Sequence, residues 1–187
     1  IDFLTTRPME IEKKSFEIIK GELGEEFVSR YPADALPVLC RVIHTTADFS
    51  YRDTLTITDG AIEKAKEEIR RGLPIITDTT MAASGINKTA AGKFGIEVHC
   101  FIGDEDVKAK AKESGMTRSA VSVEKAAGCY PECIYAVGNA PTALMRLYEL
   151  IEEKKIRPAL IIGVPVGFVN VVEAKELIMT AGVPYIV

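Results

Sequence analysis

The sequence predicts an α/β fold: a doubly wound, mainly parallel sheet of about five strands, flanked by helices and preceded by extra N-terminal helices. Three observations lead there. Short, continuous apolar runs recur after residue 72 and are too brief for helices. Charged, amphipathic stretches of helical length separate them. No internal repeat or low-complexity linker interrupts the rhythm, so residues 1–187 read as one domain.

Taken in order, residues 9–20 carry Met9, Ile11, Phe16, Ile18 and Ile19 among charges, with Pro8 just ahead, and predict a first helix. Gly21 and Gly24 loosen the chain before residues 25–31, and Pro32 breaks it. Leu36, Leu39, Cys40 and Ile43 then recur at helical spacing and run into a polar turn at 45–48. A turn at Tyr51-Arg52-Asp53 precedes a short β-like run at 55–57. Thr58 or Asp59 is expected to cap a helix over 61–71, with Gly72 at its end. Strands are expected at 73–78, 97–102, 133–137, 159–164 and 184–187. Helices are expected at 104–114, 119–129, 141–154 and 171–181, with Pro141 suited to a first turn. Residues 79–95 are rich in small side chains. Ligands of such sheets bind outside the carboxyl ends of the strands. Those ends are Asp78-Thr79-Thr80, Gly103, Gly138-Asn139-Ala140 and Gly163 through Gly167, where small residues allow a flat ligand close to the backbone.

Composition narrows the function classes. With 47% apolar and 27% charged residues the chain is an ordinary globular one. No apolar run approaches the roughly 20 residues of a membrane span, and the opening residues lack a signal-peptide layout. No membrane partner is expected, and the cytoplasm is the expected address. A net charge of -4 without a block of lysine and arginine argues against nucleic acid. An anionic ligand would therefore need basic side chains gathered locally. Cys40, Cys100, Cys129 and Cys133 fit no familiar zinc spacing and are expected to be buried thiols of a reducing compartment. The chain opens at Ile1 rather than methionine and stops on an apolar stretch, so both ends are expected to be trimmed.

The stretch with most chemistry is 41–49, Arg-Val-Ile-His-Thr-Thr-Ala-Asp-Phe, which holds one of only 2 histidines. Arg41 and His44 are three apart and thus neighbours on a helix surface. His44 falls in the last turn, where helix carbonyls and a cationic imidazole are complementary. An imidazole can donate a proton near neutrality, so His44 is a candidate general acid. It can equally serve as a plain helix cap. The second histidine, His99, lies in an apolar strand and reads as a packed core residue.

Several signatures are missing. There is no Gly-x-x-x-x-Gly-Lys-Ser/Thr phosphate loop and no Gly-x-Gly-x-x-Gly after a strand, and Gly163 and Gly167 flank a proline instead. A Gly-x-Ser-x-Gly elbow is absent too. What remains is a set of five segments in order: 11–16 (Ile-Glu-Lys-Lys-Ser-Phe), 41–49, Asp78-Thr79-Thr80-Met81 with Gly85-Ile86, 138–144, and 158–173 with its Gly-Val-Pro-Val-Gly-Phe-Val core. With these the chain resembles the precorrin-8X / cobalt-precorrin-8 methylmutases (precorrin isomerases) of cobalamin biosynthesis, from Pro8 to the last strand.

The resemblance implies an isomerase that moves a methyl group from C11 to C12 of a tetrapyrrole ring, with His44 as the acid. Such a shift requires no nucleophile, metal or redox cofactor, so no cofactor is expected. The substrate carries many carboxylate arms, which call for cationic and hydrogen-bonding partners. Arg41 and Ser15 match family positions that contact ligand. Arg118, beside a helix start, suits a carboxylate, and Asn139, at a strand end, could donate its amide or fix the turn. Ser84 and Lys88, after the Asp78 strand, complete the expected substrate contacts, while Asp78 is expected to orient a loop. The family also implies a homodimer, and a glycine- and lysine-rich tail that this sequence does not contain. Two other classes compete: a non-catalytic corrinoid-binding carrier of the same fold, and a small nucleotide-binding module, which the absent phosphate loop disfavours. No residue distinguishes a cobalt-containing from a metal-free substrate.

Overall fold

The computed structural model describes residues 7–187. By internal contacts the chain divides into two compact units, Ile1–Leu55 and Thr56–Val187, each described by itself below.

The first unit is helical: α1 (Pro8–Leu23), α2 (Glu25–Arg30), α3 (Leu36–Thr46) and a single turn, α4 (Tyr51–Thr54). Pro8 begins α1, where its missing N–H costs nothing, and Gly24 ends it at a φ of 85°. α1 runs through Gly21, past the expected boundary, because Leu23 still has core to bury. Ile19 and Leu23 of α1 pack with Leu39, Cys40 and Ile43 of α3, and Phe16, Phe27, Val28 and Tyr51 close around them. Ala47, left-handed at φ 55°, ends α3 by donating its N–H to the Ile43 carbonyl.

The second unit is a five-stranded, all-parallel sheet in the order β2-β1-β3-β4-β5, with β1 (Ile75–Thr77), β2 (Val98–His99), β3 (Ile134–Val137), β4 (Leu160–Gly163) and β5 (Tyr185–Ile186). Around it run α5 (Ala61–Arg70), α6 (Thr80–Gly85), α7 (Lys88–Lys93), α8 (Glu105–Ser114), α9 (Arg118–Cys129), α10 (Pro141–Glu152) and α11 (Val171–Met179). This strand order has its switch point between β1 and β3, where a doubly wound sheet opens a crevice. The buried face of α10 (Ala143, Leu144, Leu147, Leu150) packs with Tyr135, Val137 and Ile161 of the strands and with Ala174 and Ile178 of α11. Gly163 permits that approach, since a Cβ there would come within 3.1 Å of Leu144.

The expected strands and helices are present, but every strand is shorter than expected, β1 keeping three residues and β5 two, and four further local differences stand out. The 55–57 run becomes an antiparallel bridge, Ile57 to Ile186, along the outer side of β5. Neither Thr58 nor Asp59 caps α5; Gly60 occupies that place at φ 75°, because the Thr58 hydroxyl is accepting the Tyr185 N–H instead. β2 keeps only two of the six residues expected, being an edge strand with a single neighbour. Within 79–95, Thr79 and Asn87 each accept a backbone N–H and start the short helices α6 and α7.

Candidate active site

In the first unit, α1 and α3 set their polar residues against each other in matched pairs. Glu12 faces Arg41 and Ser15 faces His44, both 29 residues apart, so the two helices lie side by side and run the same way. Each pair of neighbours on one helix is three residues apart and therefore shares a face. Behind these pairs, Ile19 of α1 and Ile43 of α3 are buried in one apolar cluster.

The His44 Nδ1 lies 2.7 Å from the Ser15 hydroxyl, and the ring meets the edge of Phe16 at 5.8 Å between centroids. Arg41 donates from both terminal nitrogens to the two oxygens of Glu12, at 3.0 and 2.7 Å, while its guanidinium sits 5.0 Å over the Phe16 ring. The hydrogen bonds from Arg41 hold the Glu12 carboxyl below the usual carboxylate range. Ser15 and His44 line a cleft of about 400 Å³ with Lys14. Its remaining walls are apolar and include Ile11, Ile18, Ile43, Ala47 and Phe49, of which Ile18 is 48% exposed. An imidazole in an apolar opening with a lysine beside it suits a flat, greasy ligand with an anionic margin.

In the second unit the decisive group is Asp78, at the carboxyl end of β1. Its carboxylate is 3% exposed and accepts the backbone N–H groups of Gly138 (2.9 Å), Asn139 (2.8 Å) and Ala140 (2.8 Å). It therefore ties β1 to the loop after β3, across the switch point of the sheet. The exposed Asn139 side chain is carried on that loop. Arg118 opens α9 beside Thr117, whose hydroxyl accepts from Ala120 and donates to Thr142 on α10, so the starts of the two helices are tied together. Ser84 lies in α6 and Lys88 opens α7, both exposed. Among the described residues, neither Lys88 nor Arg118 has an ion-pair partner.

Two sequence expectations need correction. His99 is not a packed core residue: it sits on the edge strand, its side chain 26% exposed, stacked on Tyr130 at 4.6 Å and bonded through Nε2 to Glu97 at 3.0 Å. Of the four cysteines only Cys40 and Cys133 are buried; Cys129 is exposed at the end of α9 and Cys100 is intermediate. Glu12, Lys14, Phe16 and Phe49 were missed as individual site residues. The repeated spacing of three, Glu12 to Ser15 and Arg41 to His44, with an acid for a base and a hydroxyl for an imidazole, was the available signal.

Comparison with known proteins decides between the competing classes. The profile of precorrin-8X methylmutases matches residues 10–187. The chain belongs to the precorrin-8X methylmutase family. It is accordingly an enzyme of the isomerase class, in cobalamin biosynthesis. A cobalt-precorrin-8 methylmutase of Leptospira interrogans is 39% identical over 98% of this chain and 86% of its own length. That of Priestia megaterium is 40% identical over 98% of this chain and 80% of its own. Among solved structures, a precorrin-8x methyl mutase from Thermus thermophilus superposes with a TM-score of 0.86, at 39% identity, covering 95% of this chain and 84% of that one. No helix among the described residues is long and apolar enough to cross a membrane.

Proposed function

We propose that this chain moves a methyl group from C11 to C12 of precorrin-8 or cobalt-precorrin-8, giving hydrogenobyrinate or cobyrinate, with His44 as the general acid. The observation that carries the reading is the His44 ring, partly buried in the wall of an apolar cleft and held by Ser15. A proton lent to the conjugated macrocycle draws electron density from it and lowers the barrier to migration. The C11–methyl bond breaks as the C12–methyl bond forms, and the proton returns, so substrate and product are isomers. The remaining work is to hold the ring and stabilise developing positive charge. In this reading Arg41, Lys88 and Arg118 meet carboxylate arms, and Ser15, Ser84 and Asn139 supply hydrogen bonds. Both units serve one methylmutase domain, a reading supported by the uninterrupted family match over residues 10–187.

The test is His44→Ala assayed with both the cobalt and metal-free precursor by visible spectra. Turnover should fall by about 10²–10⁴-fold while product binding persists. Unchanged turnover would overturn the role of His44, and a wild-type chain that binds product without forming it would be a carrier. The protein is further proposed to act as a homodimer in the cytoplasm. Four free thiols support the reducing compartment. The exposed apolar run of Val166, Phe168, Val169 and Val172 supports a subunit contact, which light scattering of Phe168→Glu would test.

A further inference from the structure

We propose that Ser15 is a positioning residue that decides which nitrogen of His44 works: its oxygen accepts the Nδ1–H, and Nε2 carries the proton exchanged with the substrate. The inference rests on the reading of His44 as general acid and goes beyond it by naming the atom. An acid imidazole starts as the cation, in which both ring nitrogens are donors. The group facing Nδ1 at 2.7 Å is the Ser15 hydroxyl, so in that state the hydroxyl oxygen must accept. Release of the proton from Nδ1 would leave two acceptor lone pairs facing each other until the hydroxyl turned its own proton toward the ring. Release from Nε2 leaves the Nδ1–H bond to Ser15 intact in both charge states, and nothing has to move.

The surroundings fix this geometry on both sides. Ser15 lies one turn before Ile19, which is 5% exposed, and His44 directly follows Ile43, which is 1% exposed. Phe16 closes the ring of His44 edge-on at 5.8 Å. His99 supplies an internal contrast, because it is engaged through Nε2, by Glu97. The chain's 2 imidazoles are thus pinned by opposite nitrogens.

The experiment uses the whole chain labelled with ¹⁵N-histidine, with His99→Gln assigning the second ring. Above the imidazole titration, His44 in the parent protein should show a protonated Nδ1 and an unprotonated Nε2. In Ser15→Ala its signals should move toward the opposite tautomer while those of His99 stay in place. With either precursor, kcat of Ser15→Ala should fall by about 10–100-fold, as when a group orienting a functional histidine is removed. KM should move less than kcat, since the hydrogen bond that Ser15 also gives the substrate is one of several, whereas the orientation of His44 rests on Ser15 alone. Ser15→Thr, which keeps the hydroxyl, should retain both the tautomer and the rate. A parent His44 already protonated on Nε2 overturns the proposal. So does a Ser15→Ala variant whose tautomer is unchanged and whose only defect is a raised KM, which would make Ser15 a substrate contact and nothing more. Full turnover by His44→Ala would instead defeat the acid reading, while the spectra of the ligand-free protein would stand on their own.

Discussion

Asp78 is the residue whose removal tests the second unit most directly. Its carboxylate accepts three backbone N–H groups at 2.8–2.9 Å, those of Gly138, Asn139 and Ala140. Hydrogen bonds to a charged group contribute about 1.5–3 kcal/mol each when no water can replace them. Gly138 and Asn139 are exposed, so water would recover most of their bonds in Asp78→Ala, leaving a cost of roughly 0.5–1 kcal/mol apiece. Ala140 is 8% exposed, and its orphaned N–H carries the larger penalty. The sum is about 3–5 kcal/mol, a large part of the 5–15 kcal/mol typical of a domain. Asp78→Asn keeps one acceptor oxygen but turns an NH₂ toward the loop, and should lose about 2 kcal/mol. Asn139→Ala, which leaves the backbone donor in place, should lose less than about 0.5 kcal/mol. Urea unfolding measured by circular dichroism would order the three variants. Hydrogen exchange at Ala140 should accelerate in the first two only. A change under about 1 kcal/mol for Asp78→Ala, with exchange at Ala140 unaltered, would refute the account of this loop.

Other consequences can be checked independently. Burial pushes the Cys133 thiol up to about 12 and raises Cys40 as well, so a thiol reagent at mildly alkaline pH should label exposed Cys129 first. Cys40 and Cys133 should react only on unfolding, as mass spectrometry would show. Gly72 ends α5 at φ 75°, and a Cβ there would lie 2.7 Å from the Phe94 carbonyl oxygen. Gly72→Ala should therefore cost about 1–3 kcal/mol in denaturant unfolding. For Glu124 burial acts to raise the carboxyl, but the Lys110 hydrogen bond and the charges of Arg146 and Lys110 outweigh it and leave it low. A carboxyl that is lower in the folded state stabilises above its ordinary value of 4.5, and that contribution is lost as pH falls through the folded value. Glu124→Gln should accordingly flatten the acid side of the stability–pH curve; an unchanged slope would refute this.

Much of the fold was legible because buried parallel strands leave a local mark: runs such as 159–164 are apolar throughout and are bounded by proline or glycine. Long-range pairing leaves none. Nothing near Thr58 announces that its hydroxyl will serve β5 rather than α5, since Tyr185 lies 127 residues away. His44 was legible as a candidate from its helix end and its arginine neighbour. Its partner was not, because the side-by-side packing of α1 and α3 depends on the apolar cluster that their residues form together. Asp78 was readable as a loop organiser from its position after a strand, though its three donors belong to a segment 60 residues on. Strand lengths were overestimated throughout, the edge strand β2 most of all. An apolar run does not reveal how many neighbours it will have, and 97–102 has one.

The outer side of β5 carries a further consequence. Thr56 and Val187 exchange both backbone hydrogen bonds, at 2.8 and 2.9 Å, and Thr58 donates to Tyr185, so that margin is already occupied. At the opposite margin β2 offers only two residues. Among the described residues, neither flank presents the long row of unsatisfied amides on which a foreign strand could template. Crowded copies of this molecule therefore find little free backbone at the sheet margins through which to zip together into fibres.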